Sequence, residues 1–154
     1  MERLEEFLIE AKKQTYANGY IEKVSSSREG SNDYHYEKDG MKYHDTFFGG
    51  VKFVGEEVVY IDSKVPVWGM NYYGVTVDSS LSEEAMDKAL RPALMRVGED
   101  TSVLPLRGPR RFENEGYIYM FKCEGTLENF SGIEEIYKDD KLIFKLQCHG
   151  GLIK

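Results

Sequence analysis

Residues that usually anchor metals or disulfides are scarce in this sequence. Its 154 positions hold three histidines and two cysteines. Cys123 and Cys148 form neither a CxxC pair nor a metal-ligand spacing, so two free, structurally buried thiols are expected, in a reducing cytoplasm. Long apolar runs are also missing. The opening MERLEEFLIEAKK alternates acid, base and apolar residues and matches neither a signal peptide nor a membrane span. Positive charge is in deficit, with a formal net charge of −7 and a pI near 5.1. A protein that grips nucleic acid displaces counterions with a basic face, and Arg107, Arg110 and Arg111 make one loop rather than a face. Direct nucleic-acid binding is therefore not expected.

Catalytic signatures are lacking too. There is no GxSxG, no HExxH and no phosphate-binding loop. Gly49-Gly50 and Gly150-Gly151 are not followed by the Lys-Ser/Thr that such a loop needs. Cys148 and His149 are adjacent, so in a strand their side chains point to opposite faces. No catalytic residue, cofactor or metal site is assigned on these grounds, and an enzyme is the less favoured expectation.

What the chain does have is aromatic surface: eleven Tyr, eight Phe and one Trp. Aromatics favour strands and half-buried surfaces. A chain of this size makes one domain, residues 1–154, burying about 70% of its unfolded surface without staples. The pattern begins with a helix: Leu4, Phe7, Leu8, Ala11, Thr15 and Tyr16 recur at three- and four-residue steps, with Asn18-Gly19 as the expected stop. Residues 22–33 are polar and aperiodic, read as a loop or irregular edge strand. Tyr34–Glu37 and Lys42–Phe48 flank Asp39-Gly40, a strong two-residue hairpin signal. That turn sets a register in which Glu37 faces Lys42, Tyr36 faces Tyr43, His35 faces His44 and Tyr34 faces Asp45.

Runs over 51–61 and 65–77 meet at a turn expected at Asp62-Ser63. A second helix is expected from Ser80, with Glu83 completing a capping box, Gly98 ending it and Pro92 kinking or splitting it. Strands at 117–127, 132–137 and 141–148 complete the chain, the last two as a hairpin around Asp139-Asp140. The order helix, four strands, helix, three strands predicts an α+β fold: a curved antiparallel sheet of about six to seven strands with two main helices. No internal repeat is visible.

Several positions stand out as candidate chemistry. His35 and His44 would face each other, with Asp33 or Asp45 as a third metal ligand, although a solvated histidine pair is the commoner arrangement. Glu57 falls on the same face as Val59, so it is a half-buried acid needing a partner; a ligand-orienting role and an ion pair to Arg107 compete. WGMNYY, 68–73, suits either the wall of a pocket or an aromatic core, with Trp68 and Tyr72 on one face and Asn71 on the other. Arg107 offers a fork for an anionic group. If the protein binds a small molecule, its ligand-binding residues are expected among Glu57, Trp68, Asn71, Tyr72, Arg107 and His149. A homodimer or protein-interaction module without a ligand is the competing expectation.

The segments TYANG (15–19), GSNDYHYEKDGMKYHDTFFGG (30–50), GEEVVY (55–60), PVWGMNYYG (66–74), RGP (107–109) and HGGLI (149–153) resemble an uncharacterised bacterial family, domain of unknown function 5680. PVWGMNYYG and the terminal HGG are its most specific parts. The resemblance implies a module found alone or behind a helix-turn-helix domain of repressor type, hence sensing or dimerisation linked to transcription control. Here no such domain precedes residue 1, so a regulatory role is expected to act through a ligand or partner. The resemblance implies no catalytic residues.

Overall fold

The computed structural model describes residues 1–62 and 64–154. Helix α1 (Glu2–Lys13) buries Leu4, Phe7, Leu8, Ala11 and Lys12. It stops at Gln14, whose N–H reaches back to the carbonyls of Glu10 and Ala11, and not at Asn18-Gly19. Gly19 does not take the left-handed conformation, and Asn18 Oδ1 instead accepts the Tyr20 N–H at 3.1 Å.

Strands β1 (Asn32–Lys38), β2 (Met41–Gly49), β3 (Lys52–Ile61) and β4 (Val65–Thr76) form an antiparallel meander. The first hairpin pairs Glu37 with Lys42, Tyr36 with Tyr43, His35 with His44 and Tyr34 with Asp45, as its turn sequence predicts. Asp39 and Gly40 both take positive φ, 51° and 77°, the type I′ geometry that matches strand twist. Asp62 also has positive φ, 50°; Ser63, the other residue of that expected turn, lies outside the described residues.

The second helical stretch, α2 (82–94), is continuous but irregular: α-helix Ser82–Ala85, a π-helical turn Met86–Leu90, then α-helix Arg91–Leu94. Pro92 causes this in part, because it has no N–H for the carbonyl of Lys88 and its ring crowds that oxygen. Asn114 Nδ2 donates to that carbonyl instead, at 2.8 Å. The cap is Asp78, whose Oδ1 accepts from Ser80 N and Oγ ahead of a 3-10 turn, Ser79–Leu81. The expected Ser80/Glu83 box does not form.

The second meander has four strands: β5 (Arg111–Asn114), β6 (Tyr117–Thr126), β7 (Asn129–Lys138) and β8 (Lys141–Leu152). All eight strands make one antiparallel sheet in the order β1-β2-β3-β4-β8-β7-β6-β5. The eighth strand beyond the expected six to seven is β5, which is short and joined to β6 by Glu115-Gly116 rather than by an Asn-Gly or Asp-Gly pair.

That order reads as a repeat of helix plus four-stranded meander. Met41 and Tyr117, which open β2 and β6, are 76 positions apart. The same step relates β4 to β8, from Val65 and Lys141 at the start to Thr76 and Leu152 at the end. It also relates turn residues Asp39-Gly40 (φ 51° and 77°) to Glu115-Gly116 (47° and 83°), and Gly49 (94°) to Gly125 (92°). Antiparallel pairing of β4 with β8 makes the halves equivalent by an approximate two-fold normal to the sheet, near the facing pair Tyr72 and Cys148. The repeat escapes the sequence because equivalent positions carry different chemistry: Asp45 and Phe121, Trp68 and Phe144, Tyr72 and Cys148.

Both helices pack on one face of the sheet, and the core lies between them and the inward residues of each strand. Aromatics dominate it. Trp68 is fully buried, stacks on Phe130 at 5.7 Å between centroids and donates Nε1–H to the Leu127 carbonyl at 3.1 Å. Among the described residues, no helix is long and apolar enough to cross a membrane.

Candidate functional site

A cavity of about 550 Å³ lies between the helices and the first meander, within the range of small-molecule pockets. Its mouth is formed by exposed residues: Lys23, the Gly49-Gly50 corner, Glu83 and Asp87. Its walls are aromatic and aliphatic, with Tyr16, Phe47 and Phe53 on one side and Met86, Leu90 and Leu94 of α2 on the other. Tyr16 and Phe47 meet edge to face at 5.9 Å, and the Tyr16 hydroxyl donates to Met86 Sδ at 3.7 Å. The floor is polar and buried: Lys12, Tyr43, Asp45, Glu57, Tyr72 and Arg107.

Strand alternation places this floor. Tyr43, Asp45 and Phe47 share the helix-covered face of β2, and Asp45 faces Glu57 across the β2–β3 ladder. Two carboxylates thus sit side by side at 4% and 3% exposure. Glu57 is neutralised by Lys12 from α1, and Arg107 Nη1 stands 4.0 Å from its Oε1. Arg107 is itself held by Glu134 of β7 through two hydrogen bonds, 2.9 Å from Nε and 2.7 Å from Nη2. Tyr119 donates to Glu134 Oε2 at 2.5 Å and accepts from the Gly108 N–H at 2.9 Å. Tyr119 and Glu134 occupy in the second half the places of Tyr43 and Glu57 in the first. In the second half Arg107 and Gly108 close over the pair; in the first the pair lies open to the cavity.

Asp45 has no such closure. Its Oδ1 accepts one hydrogen bond, from the Tyr72 hydroxyl at 2.6 Å, and its Oδ2 receives none among the described residues. Nor is that oxygen sealed from the cavity, since the described residues hold only one fully enclosed, unpaired side-chain atom, Thr46 Oγ1. Burial, and then the neighbouring Glu57 charge, push the Asp45 carboxyl up to about 7, against the Tyr72 hydrogen bond and the Lys12 and Arg107 charges. Tyr72 reaches Asp45 by lying across Gly55 of the intervening strand. A Cβ on Gly55 would come within 2.5 Å of the ring carbon Cζ and the hydroxyl of Tyr72. Burial and the Asp45 charge hold the Tyr72 hydroxyl well above its usual range, so it stays a donor.

The structure therefore brings Glu57, Tyr72 and Arg107 together in this cavity. Trp68 lies in the core, away from the cavity lining. Asn71 and His149 face each other across β4 and β8 on the opposite, open side of the sheet. Asp45 and Lys12 are floor residues missing from the expected small-molecule contacts; Asp45, considered as a third metal ligand, lies on the helix-covered face, opposite His35 and His44. The signal for Asp45 was present, namely a carboxylate between Tyr43 and Phe47 on the apolar face of a strand.

A second constellation lies on the open side. Asp33, His35 and His44 offer ligand atoms that all lie within 4.8 Å of one another. Asp33 is already heavily used: it accepts from Ser27 N and Oγ at 3.2 and 2.6 Å, Ser31 Oγ at 2.5 Å, and faces His44 Nε2 at 2.5 Å. Burial alone would raise its carboxyl, but the Ser27, Ser31 and His44 hydrogen bonds outweigh it and hold the group well below the ordinary aspartate range. A cation here would have to displace the Ser27 hydroxyl and the proton between Asp33 and His44. The arrangement as it stands staples the 22–31 loop to the first hairpin.

Among known proteins, a family model described as a domain of unknown function (DUF5680) matches residues 45–153. The matched span begins at Asp45 and contains every floor residue except Lys12 and Tyr43. No curated protein and no solved structure matches the chain.

Proposed function

The chain belongs to the DUF5680 family, and we propose that it is a small-molecule-binding module of the cytoplasm that senses its ligand for a regulatory partner. The observation that carries this reading is Asp45, a buried carboxylate whose Oδ2 faces an aromatic-walled cavity with no donor to it among the described residues. A polar group left in that state costs stability unless something else satisfies it, so the floor is arranged for contact rather than for packing. The core beside it shows the contrast, where Glu134 is fully paired. The family resemblance, to modules found alone or behind helix-turn-helix domains in bacteria, supports a regulatory setting.

Native mass spectrometry of protein purified gently from its expression host tests the proposal. An adduct that leaves on denaturation, and is lost in a folded Met86→Trp variant whose larger side chain enters the cavity, supports it. An adduct retained by that variant places the binding elsewhere and overturns the cavity assignment.

One observation favours a second reading, a homodimer. Val54, Tyr73 and Ile133 stand in one cross-strand row on the open face, exposed by 51%, 50% and 41%. Gln147 separates Tyr73 from Ile133 in that row, so the paired Val54 and Tyr73 are the apolar surface that such an interface would use. Sedimentation of wild type and Tyr73→Lys decides it: a dimer that the substitution dissociates supports this reading, and a monomer at micromolar concentration removes it.

A further inference from the structure

The ligand's chemistry follows from the charge balance of the floor. Three carboxylates, Asp45, Glu57 and Glu134, face two resident cations, Lys12 and Arg107. Each cation is already committed: Lys12 to Glu57, Arg107 to Glu134 through two parallel bonds. Asp45 is left over, with the neutral Tyr72 hydroxyl its only donor among the described residues. The other groups facing it are the Tyr43 hydroxyl from its own strand, Tyr34 paired with it from β1, and Tyr16 from the segment after α1; Glu83, Asp87 and Arg91 of α2, with Lys23, stand farther out in the lining. Arg91 is engaged by Asp87 at 3.0 Å and stacks over Tyr16 at 4.8 Å.

An anionic ligand would therefore meet an unneutralised carboxylate beside cations already taken. A cationic ligand meets the missing counter-charge, and it meets aromatic faces as well. Tyr16, Tyr43, Phe47, Phe53 and Tyr72 line the cavity around the carboxylate, and a desolvated cation is attracted to the faces of such rings.

We infer that the cavity binds a small organic amine carrying an aromatic or apolar body, its ammonium group donating to Asp45 Oδ2 and its body lying between Phe47, Phe53 and Met86. This rests on the small-molecule reading above and adds the ligand's charge to it. The raised pKa of Asp45 supports the same assignment, because an ammonium partner restores the ionised form that burial disfavours.

Isothermal titration with matched pairs tests it: tryptamine against tryptophol, and 2-phenylethylamine against 2-phenylethanol. The amine of at least one pair is expected to bind ten or more times tighter than its alcohol at pH 8. Its affinity should fall about tenfold from pH 8 to pH 6 as Asp45 takes up a proton that binding must expel. Asp45→Asn should abolish the preference for the amine while leaving alcohol binding in place, which also shows that the variant is folded. Equal binding of amine and alcohol, binding of alcohols alone, or binding of none of the four overturns the amine inference. The cavity reading is judged separately, because an adduct in the native mass spectrum does not depend on these probes.

Discussion

Replacing Asp45 with asparagine should make the protein more stable at alkaline pH, against the usual expectation for a buried polar substitution. Asp45 sits at 4% exposure beside Glu57, with its carboxyl raised to about 7 by burial first and by that charge second. In the unfolded chain it titrates as an ordinary aspartate, near 3.9. Between those values the native state holds the proton and the unfolded state does not, so stability falls as pH rises from about 4 to about 7 and is level on either side. Multiplying that interval of about 3 pH units by about 1.4 kcal/mol gives about 4 kcal/mol lost by pH 8. Asparagine keeps an oxygen for the Tyr72 hydroxyl and removes the charge. The attractions to Lys12 and Arg107 are already contained in that raised value, so the net stabilisation expected at pH 8 is of the same order, about 4 kcal/mol. Urea unfolding of both proteins at pH 4 and pH 8 measures this. The curves should nearly coincide at pH 4, with the variant's midpoint higher at pH 8. A variant less stable at pH 8, or a difference that does not change with pH, refutes the assignment of Asp45 as an uncompensated buried charge.

Other consequences follow from the same geometry. Truncating Arg107 to alanine leaves Glu134 buried and unpaired and should cost about 3–5 kcal/mol, whereas Arg107→Met combined with Glu134→Leu should recover most of that; equal losses in both variants in urea titrations would contradict the pairing. The Cys148 thiol is pushed up to about 12 by burial, so an aromatic disulfide reagent should modify Cys123 in the native protein and Cys148 only on unfolding. Asp33 is held low, so its contribution is complete above the unfolded value near 4 and disappears as pH falls below it. Ser27→Ala should weaken that acid-side dependence, and an unchanged slope of stability between pH 4 and pH 2 would count against it. Gly55→Ala should push the Tyr72 ring off Asp45 at a cost of about 1–3 kcal/mol, visible as a lowered midpoint together with a Tyr72 hydroxyl that exchanges faster by NMR.

Much of the scaffold was legible because local chemistry and tertiary demand agree. Asp39-Gly40 prefers the conformation its hairpin needs, so the register of β1 with β2 followed from the turn. Leu4, Phe7, Leu8 and Ala11 mark the buried stripe of α1 by spacing alone. Strand β5 escaped notice because four residues of RFEN carry no apolar alternation, and its turn places a glutamate at positive φ where asparagine or aspartate is expected. The π-helical turn came from a long-range contact: Asn114 satisfies the carbonyl that Pro92 leaves free, and no local rule reports that.

At the site, Glu57 was recognisable as a buried acid, and its proximity to Arg107 was anticipated. Its principal partner is Lys12, 45 positions away, which only the docking of α1 reveals. Asn71 and His149 are neighbours, as β4–β8 pairing dictates, but face away from the cavity. Alternation separates Asn71 from Tyr72 and cannot say which face the helices cover. Asp45 carried the same signal as Glu57, an acid among aromatics on an inward face, and it is the group on which the functional reading now turns.

The most direct test is ligand-observed NMR with a mixed library of aromatic amine, alcohol and acid fragments, run on wild type and on the folded Met86→Trp variant. The account predicts that wild type binds fragments, amines foremost, and that the variant loses them. Fragment binding unchanged by the substitution, or a wild type that binds none, would contradict it.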